Sequence, residues 1–244
     1  MSAMDEAAKT LQVDIWRGGA QGAFQSFTVP HEVSQTVLDV VTYVQRRLDP
    51  TLSYRFSCRV GMCGTCAMMV NGRPRWTCRT HVDRIADDGR IAIAPLRNFP
   101  VIKDLAVDMT AFFDKWRDAG ARFQPRDGAA DSFANVDPNS PARRAASDAI
   151  ECIGCGICHA ACDVVSWNPD YLGPAALNRV WTLVNDERDA DPAAHLAPVA
   201  GDAGCHACHS QQGCAVHCPN SLSPTASIAG LKRQTLAALF RGQL

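Results

Sequence analysis

The chain has 244 residues, 47% of them hydrophobic and 20% charged, which is the composition of a soluble globular protein with one large or two small domains. Its formal net charge of −1 gives no support for a nucleic-acid partner or an anionic membrane surface. No stretch approaches the roughly 18 consecutive apolar residues of a membrane span, and the N-terminus lacks a secretory signal, so we expect a cytoplasmic chain.

The first part of the chain is predicted to form a small mixed sheet with one helix. Residues 11–16 and 24–29 alternate apolar and polar side chains around three glycines, which predicts a β-hairpin. Residues 36–48 carry an apolar stripe at helical spacing. Asn71-Gly72 lies between two apolar runs and predicts a second hairpin, and residues 91–93 add one more strand.

The second part of the chain is predicted to be helical. Apolar residues at helical spacing, from Ile102 to Trp116, predict an amphipathic helix. Residues 124–141 carry prolines among polar residues and predict a loop or an extended linker. Gly173-Pro174 and Ser223-Pro224 are each followed by an apolar stripe, so we expect a helix to begin at each proline.

Twelve cysteines are the most informative feature of the composition. They fall into three groups, which span residues 58–78, 152–162 and 205–218. Disulfide bonds are rare in reducing compartments, where clustered cysteines more often bind metal. The grouping therefore predicts metal or iron–sulfur cluster binding in preference to disulfides or free thiols.

The first group has the spacing C-x4-C-x2-C with a distant fourth cysteine, as in plant-type ferredoxins. Its members are Cys58, Cys63, Cys66 and Cys78. Two irons bridged by two sulfides need four thiolates, so we predict a [2Fe–2S] cluster. Gly61 and Gly64 suit the tight turns that bring backbone N–H groups close to sulfur. The alternative, a structural zinc site, favours paired short knuckles, which this spacing does not supply.

The second group has the spacing C-x2-C-x2-C-x3-C of bacterial ferredoxins. Its members are Cys152, Cys155, Cys158 and Cys162. In two-cluster proteins with this spacing, the first three cysteines hold one cluster and the fourth serves the other. A helix that starts near Cys162 would direct that sulfur away from the first three. The second group therefore requires further cysteines, and the third group provides them.

The third group ends in Cys218-Pro219, the Cys-Pro ending of the ferredoxin motif. Two ligand sets follow: Cys152, Cys155, Cys158 and Cys218 for a [4Fe–4S] cluster, and Cys162, Cys208 and Cys214 for the other site. A cube would have a cysteine three residues after Cys208, where this chain has Gln211. Three thiolates without a fourth suit a [3Fe–4S] cluster.

Cys205 has no place in these sets. The simpler interpretation is a buried or partly exposed free thiol without a function. The alternative is a fourth ligand that converts the third site to [4Fe–4S].

Segments around and between the cysteines carry a family resemblance that covers nearly the whole chain in the family's order. They are Ser57-Cys58-Arg59, Cys66-Ala67-Met68, Pro95-Leu96, residues 100–105 and 107–109, Trp167-Asn168-Pro169-Asp170, Gly173-Pro174-Ala175, and Cys208-His209 to Cys218-Pro219. With them the chain resembles the iron–sulfur subunit of succinate dehydrogenase and fumarate reductase, the respiratory complex II family.

The resemblance implies an α+β protein with two domains. Residues 1–105 would form an N-terminal β-grasp domain of the plant-type [2Fe–2S] ferredoxin kind. Residues 106–244 would form an all-α helical ferredoxin domain with the [4Fe–4S] and [3Fe–4S] clusters.

The resemblance also implies an electron relay in the tricarboxylic acid cycle. In the family, the FAD of a flavoprotein subunit oxidises succinate, and electrons pass singly through [2Fe–2S], [4Fe–4S] and [3Fe–4S] clusters to a quinone beside membrane-anchor subunits, with or without haem. A tryptophan and a histidine approach that quinone, and by position they are Trp167 and His209. The chain would then lie peripherally at the cytoplasmic face of the inner membrane and be active only with the flavoprotein subunit.

Three positions depart from the family pattern: Val60, Asp163 and Asn220. Asp163 adds negative charge near the third cluster, and this leaves the direction of electron flow open. The alternative to a succinate dehydrogenase is a fumarate reductase, quinol- or thiol-linked, that runs in the opposite direction. An alternative of another class is a zinc-stabilised interaction module without a redox role.

Overall fold

The computed structural model describes residues 10–126, 133–134 and 136–244, and the contacts within the chain divide it into two units, Met1–Asp108 and Met109–Leu244. Part of the predicted linker, residues 127–132 and 135, lies outside the described residues. Within the described ranges, no helix has both the length and the apolar character needed to cross a membrane.

The first unit is built on a five-stranded mixed sheet. Its strands are β1 (Thr10–Arg17), β2 (Ala23–Pro30), β3 (Ala67–Val70), β4 (Arg73–Trp76) and β5 (Arg90–Ala94). The spatial order is β2-β1-β5-β3-β4, in which β1 and β5 run parallel and the other neighbours antiparallel. Both predicted hairpins are confirmed, and Asn71 and Gly72 in the second turn have φ values of 48° and 74°.

Helix α1 (Val37–Tyr43) packs against this sheet, and a π-helical turn, Val44–Leu48, continues it to the predicted end. Thr36 and Asp39 form a capping box, in which each side chain accepts a hydrogen bond from the other residue's backbone N–H. The predicted stripe is buried against alternate strand residues: Val37, Val40, Val41 and Val44 pack with Leu11, Val13 and Ile15.

The segment predicted as one helix from Ile102 to Trp116 begins as a hairpin. Val101–Lys103 (β6) pairs with Ala106–Val107 (β7), and helix α2 spans Thr110–Asp118. The prediction is therefore wrong over residues 102–109. The physical reason is Asp104, whose φ of 51° lies in the left-handed region and cannot continue an α-helix.

Asp104 takes that conformation because its buried carboxylate joins three segments of the first unit. One oxygen accepts hydrogen bonds from the Gly18 backbone N–H at 2.7 Å and from Arg17 Nε at 3.2 Å. The other accepts from the Ser53 backbone N–H at 2.8 Å. Arg17 also contacts Asp49 at 2.7 Å, so the end of β1 and the loop before the first cysteines are tied to one carboxylate.

The second unit is helical, as predicted. Besides α2, its helices are α3 (Pro141–Ile150), α4 (Ile157–Ala160), α5 (Asp163–Trp167), α6 (Pro174–Val184), α7 (Gly213–Val216) and α8 (Pro224–Phe240), with 3-10 turns at Pro192–His195, Ala197–Val199 and Cys205–Ala207. The helices that were expected at Pro174 and Pro224 are confirmed. Sequence analysis missed α3, which Ser140 caps at the end of the predicted linker.

Three long helices of the second unit meet at the buried side chain of Asn178 on α6. Its Nδ2 donates to the carbonyl of Ala149 on α3 at 3.0 Å, and its Oδ1 accepts from the Ser227 hydroxyl on α8 at 2.9 Å. Gly230 on α8 leaves room for the Trp181 ring of α6, which a Cβ at residue 230 would overlap. The short helices α4, α5 and α7 lie at the cysteine segments that these long helices support.

We predict that Asp104→Ala destabilises the first unit by about 3–5 kcal/mol, because it removes one of the two carboxylates that Arg17 binds, leaves two backbone amides without their acceptor and places alanine at positive φ. Thermal denaturation followed by circular dichroism measures the loss. The matched control is Asp83→Asn, whose carboxylate is 52% exposed and pairs with His31 at the surface, and this substitution should cost less than about 1 kcal/mol. Equal effects of the two substitutions would contradict the role of Asp104.

Candidate metal centres

The first cysteine group is brought together at the edge formed by β3 and β4. Cys66 directly precedes β3 and Cys78 follows β4, and both are buried. The Thr77 hydroxyl donates to the Cys66 carbonyl at 2.8 Å and holds the two segments side by side. Burial and the neighbouring Cys66 thiol raise the pKa of Cys78 to about 11. Cys58 and Cys63 contact each other in the preceding loop, Cys66 packs with Cys78, and Cys58 is among the groups that raise the pKa of Cys78, so the four predicted residues lie in one region.

The loop that carries Cys58 and Cys63 directs backbone N–H groups at sulfur. Met62 and Cys63 donate to the Cys58 sulfur at 3.3 Å each. Gly61 has a φ of 78° and Gly64 one of 69°, as the sequence predicts for tight turns. The N–H groups of Val60, Cys63 and Met62 lower the pKa of Cys58 to about 6. The loop thus stabilises a negatively charged sulfur before any metal contributes.

The second unit contains a cavity whose wall includes the four thiols assigned to one ligand set. We call it the Cys152 cavity, and its thiols are Cys152, Cys155, Cys158 and Cys218. Burial raises the pKa of Cys155 to about 12 and that of Cys158 well above its ordinary value. Asn220 Nδ2 donates to the Glu151 carbonyl at 2.7 Å, which joins the segment after Cys218 to the segment before Cys152.

The wall of a second cavity includes the other three assigned thiols. We call it the Cys162 cavity, and its thiols are Cys162, Cys208 and Cys214. The Cys214 sulfur lies 3.1 Å from the Thr225 hydroxyl, and the Ser210 backbone N–H donates to the Cys208 sulfur at 3.4 Å. Gln211, which stands where a cube would have a cysteine, also lines this cavity.

The second cysteine group is divided between the two cavities, as the ferredoxin spacing predicts. Cys158 lies in the first turn of α4 and lines the Cys152 cavity, whereas Cys162 caps α5 and lines the Cys162 cavity. The third group is divided in the opposite sense, with Cys214 on α7 in one cavity and Cys218 just after it in the other. Two short helices therefore connect the two thiol sets.

Cys205 is buried away from these walls. It is fully buried, lies in the apolar core of the second unit, and its sulfur is 3.7 Å from the Thr235 hydroxyl of α8. Burial raises the pKa of this thiol. Among the described residues that line the Cys162 cavity, Cys205 does not occur. This placement favours the simpler of the two interpretations, a structural thiol.

Trp167 and His209 are far apart in sequence but adjacent in the structure. Their ring centroids are 6.1 Å apart with the planes at 83°, and His209 lines the Cys162 cavity. Trp167 is the last residue of α5 and is 58% exposed. An exposed aromatic pair beside a thiol-lined cavity offers a flat surface to a planar ligand.

Sequence analysis missed two polar residues of the Cys162 cavity, Tyr171 and Thr225. Tyr171 is buried, and burial together with the thiols of Cys208, Cys162 and Cys214 raises the pKa of its phenol. Thr225 lies in the first turn of α8 beside Cys214. Neither residue belongs to a cysteine motif, so only the folded packing brings them to the thiols.

In the described ranges, no group of three or more His, Cys, Asp or Glu side chains is placed to hold a single metal ion.

Two protein-family models match this chain, one around the first cysteine group and one around the second and third. Residues 11–114 match the family model of a 2Fe-2S iron-sulfur cluster binding domain, and residues 151–223 match that of a 4Fe-4S dicluster domain. The two models together cover all three cysteine groups.

Similar curated proteins are found over most of the chain. A fumarate reductase iron-sulfur subunit of Mycobacterium tuberculosis is 35% identical over 226 residues, which are 91% of this chain and 90% of that protein. The fumarate reductase iron-sulfur subunit of Escherichia coli is 34% identical and covers 83% of this chain and 82% of its own length. A mitochondrial succinate dehydrogenase [ubiquinone] iron-sulfur subunit of rice is also 34% identical, over 83% of this chain and 72% of its own length.

A solved structure shows the same fold. A chain of the Mycobacterium smegmatis Sdh1 complex in the apo form superposes with a TM-score of 0.87 at 25% identity, over 96% of this chain and 98% of that one.

We predict that Cys205→Ala leaves a cluster in the Cys162 cavity intact, because the Cys205 sulfur contacts Thr235 in the core and does not line that cavity. The near-isotropic signal of an oxidised [3Fe–4S] cluster, measured by EPR on the purified protein, should persist. The matched variant Cys208→Ala should abolish that signal. If Cys205→Ala instead removes it or changes the cluster type, Cys205 is a ligand and the structural interpretation is wrong.

Proposed function

The chain belongs to the family of iron–sulfur subunits of succinate dehydrogenase and fumarate reductase, and we propose that it is the electron-transfer subunit of such a complex. In this proposal it relays electrons from the FAD of a flavoprotein subunit through [2Fe–2S], [4Fe–4S] and [3Fe–4S] clusters to a quinone at the membrane anchor. The observation that carries the proposal is the division of eleven cysteines into one group of four in the first unit and two cavities in the second, with four and three thiols.

The ligand sets of the proposal follow the thiols that lie together. Cys58, Cys63, Cys66 and Cys78 would hold the [2Fe–2S] cluster; Cys152, Cys155, Cys158 and Cys218 the [4Fe–4S] cluster; and Cys162, Cys208 and Cys214 the [3Fe–4S] cluster. Bound clusters supply one-electron acceptors, which connect a two-electron flavin donor to a quinone reduced in two steps. The Cys152 cavity is lined by more thiols than the Cys162 cavity, which supports the difference in cluster type.

The residues of this chain act on the clusters by hydrogen bonding, burial and charge. The N–H groups of Met62 and Cys63 stabilise negative charge on the Cys58 sulfur, which favours a bound cluster. Burial disfavours free thiolates at Cys155 and Cys158, so the positive charge of bound iron would be needed to keep these sulfurs ionised. In the same way, the Thr225 hydroxyl beside Cys214 and the Ser210 N–H beside Cys208 stabilise negative charge on those two sulfurs of the Cys162 cavity.

We assign the finer fold and the domain limits on the same basis. The mixed sheet of the first unit with α1 against it supports a β-grasp domain, and the short helices at the cysteine segments of the second unit support a helical ferredoxin domain. The proposed boundary at residues 105/106 lies close to the division between Asp108 and Met109.

Trp167 and His209 are proposed to form the quinone contact. The pair is exposed on one side and borders the Cys162 cavity on the other, so a planar ring bound there would lie next to the last centre. The membrane-anchor subunits would complete this site and hold the chain peripherally at the cytoplasmic face of the inner membrane.

The direction of electron flow has a second candidate. Two of the similar proteins are named as fumarate reductase subunits and one as a succinate dehydrogenase subunit. A fumarate reductase would use the same three centres in reverse. Asp163, at the first position of α5 beside Cys162, adds negative charge that favours the oxidised form of the last centre and thus electron donation from it.

We predict that the native complex is brown, that dithionite bleaches its visible absorbance, and that it contains iron, acid-labile sulfide and flavin. Purification of the complex with its subunits, haem content and succinate–quinone activity recorded together tests the proposal, and the ratio of succinate oxidation to fumarate reduction decides the direction. A colourless protein that holds zinc would contradict the proposal and establish the zinc-stabilised module.

We predict that Trp167→Leu lowers kcat/KM for quinone by about tenfold or more, because it removes the exposed ring that pairs with His209. The EPR signals of the three centres and electron transfer to a soluble dye should stay unchanged. Phe240→Leu is the control, since Phe240 is 83% exposed at the end of α8 and does not line the Cys162 cavity. Unaltered quinone kinetics in Trp167→Leu would remove Trp167 from the site.

A further inference from the structure

Lys115, near the end of α2, contacts the loop that follows Trp167. Its Nζ donates to the carbonyl of Pro169 at 2.6 Å and to the carbonyl of Tyr171 at 2.6 Å. These are short, charge-assisted hydrogen bonds to residues more than fifty positions away in sequence. One ammonium group thus fixes two of the five backbone carbonyls of the 168–172 loop.

The 168–172 loop positions two aromatic residues beside the Cys162 cavity. Trp167 precedes it and forms the exposed pair with His209, and Tyr171 within it is 1% exposed and lines the Cys162 cavity. The Leu172 backbone N–H donates to the Ala203 carbonyl at 2.8 Å, which fixes the far end of the loop. A shift of the loop would therefore move both aromatic side chains relative to the thiols.

The Lys115 ammonium is also a charge close to the Cys162 cavity. Its side chain is half-buried, and burial lowers the pKa of Lys115, while the carboxylate of Asp170 and the Cys162 thiolate raise it. The hydrogen bond from the ammonium to the carbonyl of Tyr171, a residue that lines the Cys162 cavity, places the charge beside that cavity. Because a nearby positive charge stabilises the more negative state of a cluster, it favours reduction of that centre.

We propose that Lys115 is a positioning residue for the last electron-transfer step. Its ammonium group fixes the 168–172 loop, which follows Trp167 and contains Tyr171, and its charge favours the reduced form of the centre in the Cys162 cavity. This inference rests on the proposed function, because it concerns the centre that delivers electrons to the quinone. It adds a residue from α2, outside the cysteine segments, to the groups that set the potential of that centre.

The two parts of the role predict different responses to different side chains. Lys115→Met keeps the apolar stem and removes both charge and hydrogen bonds. Lys115→Gln keeps an N–H donor of shorter reach without the charge, and Lys115→Arg keeps the charge and the donors. Arg117→Met is the matched control: it removes a cation from the same helix, but Arg117 is 74% exposed and pairs with Asp114 and Asp118 on that helix.

The experiment is an EPR redox titration of the whole purified complex for each variant. We expect Lys115→Met to raise the ratio of oxidised to reduced third centre at a fixed ambient potential by about tenfold, which is about 59 mV for a one-electron couple. The potentials of the first two centres should not change, and they serve as internal references. Lys115→Arg should restore most of the shift, and Arg117→Met should leave all three potentials as in the wild type.

Hydrogen exchange of the same complexes tests the anchoring of the 168–172 loop without depending on redox activity. The amides of Asp170, Tyr171 and Leu172 should exchange faster in Lys115→Met, since the loop loses two of its anchors. If Lys115→Met does not assemble, Lys115→Gln decides the charge effect and Lys115→Arg the rescue.

Two results would overturn the inference. One is a third-centre potential in Lys115→Met and Lys115→Gln equal to that of the wild type. The other is an equal shift in Arg117→Met, which would show a general effect of surface charge. Failure of the proposed function is distinguishable, because the wild-type complex would then lack the three EPR signals that the titration follows.

Discussion

Burying a sulfur atom and keeping it negatively charged are opposed requirements, and the cysteine segments of this chain are arranged around that opposition. In the first unit, backbone N–H groups surround the half-buried Cys58 and lower the pKa of its thiol, while burial raises that of Cys78. In the second unit burial dominates, and the pKa of Cys155 and Cys158 is raised. Only a bound positive group such as iron offsets that cost, so occupancy of the Cys152 cavity and stability of the second unit are linked.

The helices at the thiols follow from this constraint. Segments that present N–H groups to sulfur cannot use those groups in a regular helix, and α4, α5 and α7 are only 4, 5 and 4 residues long. Such short helices are not stable by themselves. The long helices α3, α6 and α8 supply the packing through Asn178 and through the close approach of Gly230 to Trp181. The packing of α3, α6 and α8 thus supports short segments whose backbone N–H groups point at the sulfurs.

Much of this arrangement could be predicted because the spacing of cysteines is a local pattern with a direct chemical meaning. Examples are the placement of Cys162 and Cys218 in opposite cavities, and the hairpins and helices that have clear turn or cap residues. The helix that was expected from Ile102 was wrong because apolar spacing does not reveal that Asp104 adopts a left-handed conformation and binds two distant segments, at residues 17–18 and at Ser53. Lys115 was not found because its two carbonyl partners lie 54 and 56 residues further along the chain, and only packing brings them together.

The two short helices that run between the cavities have a consequence for biogenesis. Cys158 and Cys214 each lie four residues before the cysteine that lines the opposite cavity, Cys162 and Cys218 respectively. Neither thiol set is complete until the ribosome has released the chain beyond Cys214, and the Cys152 cavity must wait for Cys218. The four cysteines of the first unit, by contrast, are all synthesised by residue 78. Under the proposed function, the ligands of the first centre are therefore all synthesised well before either of the other two ligand sets is complete.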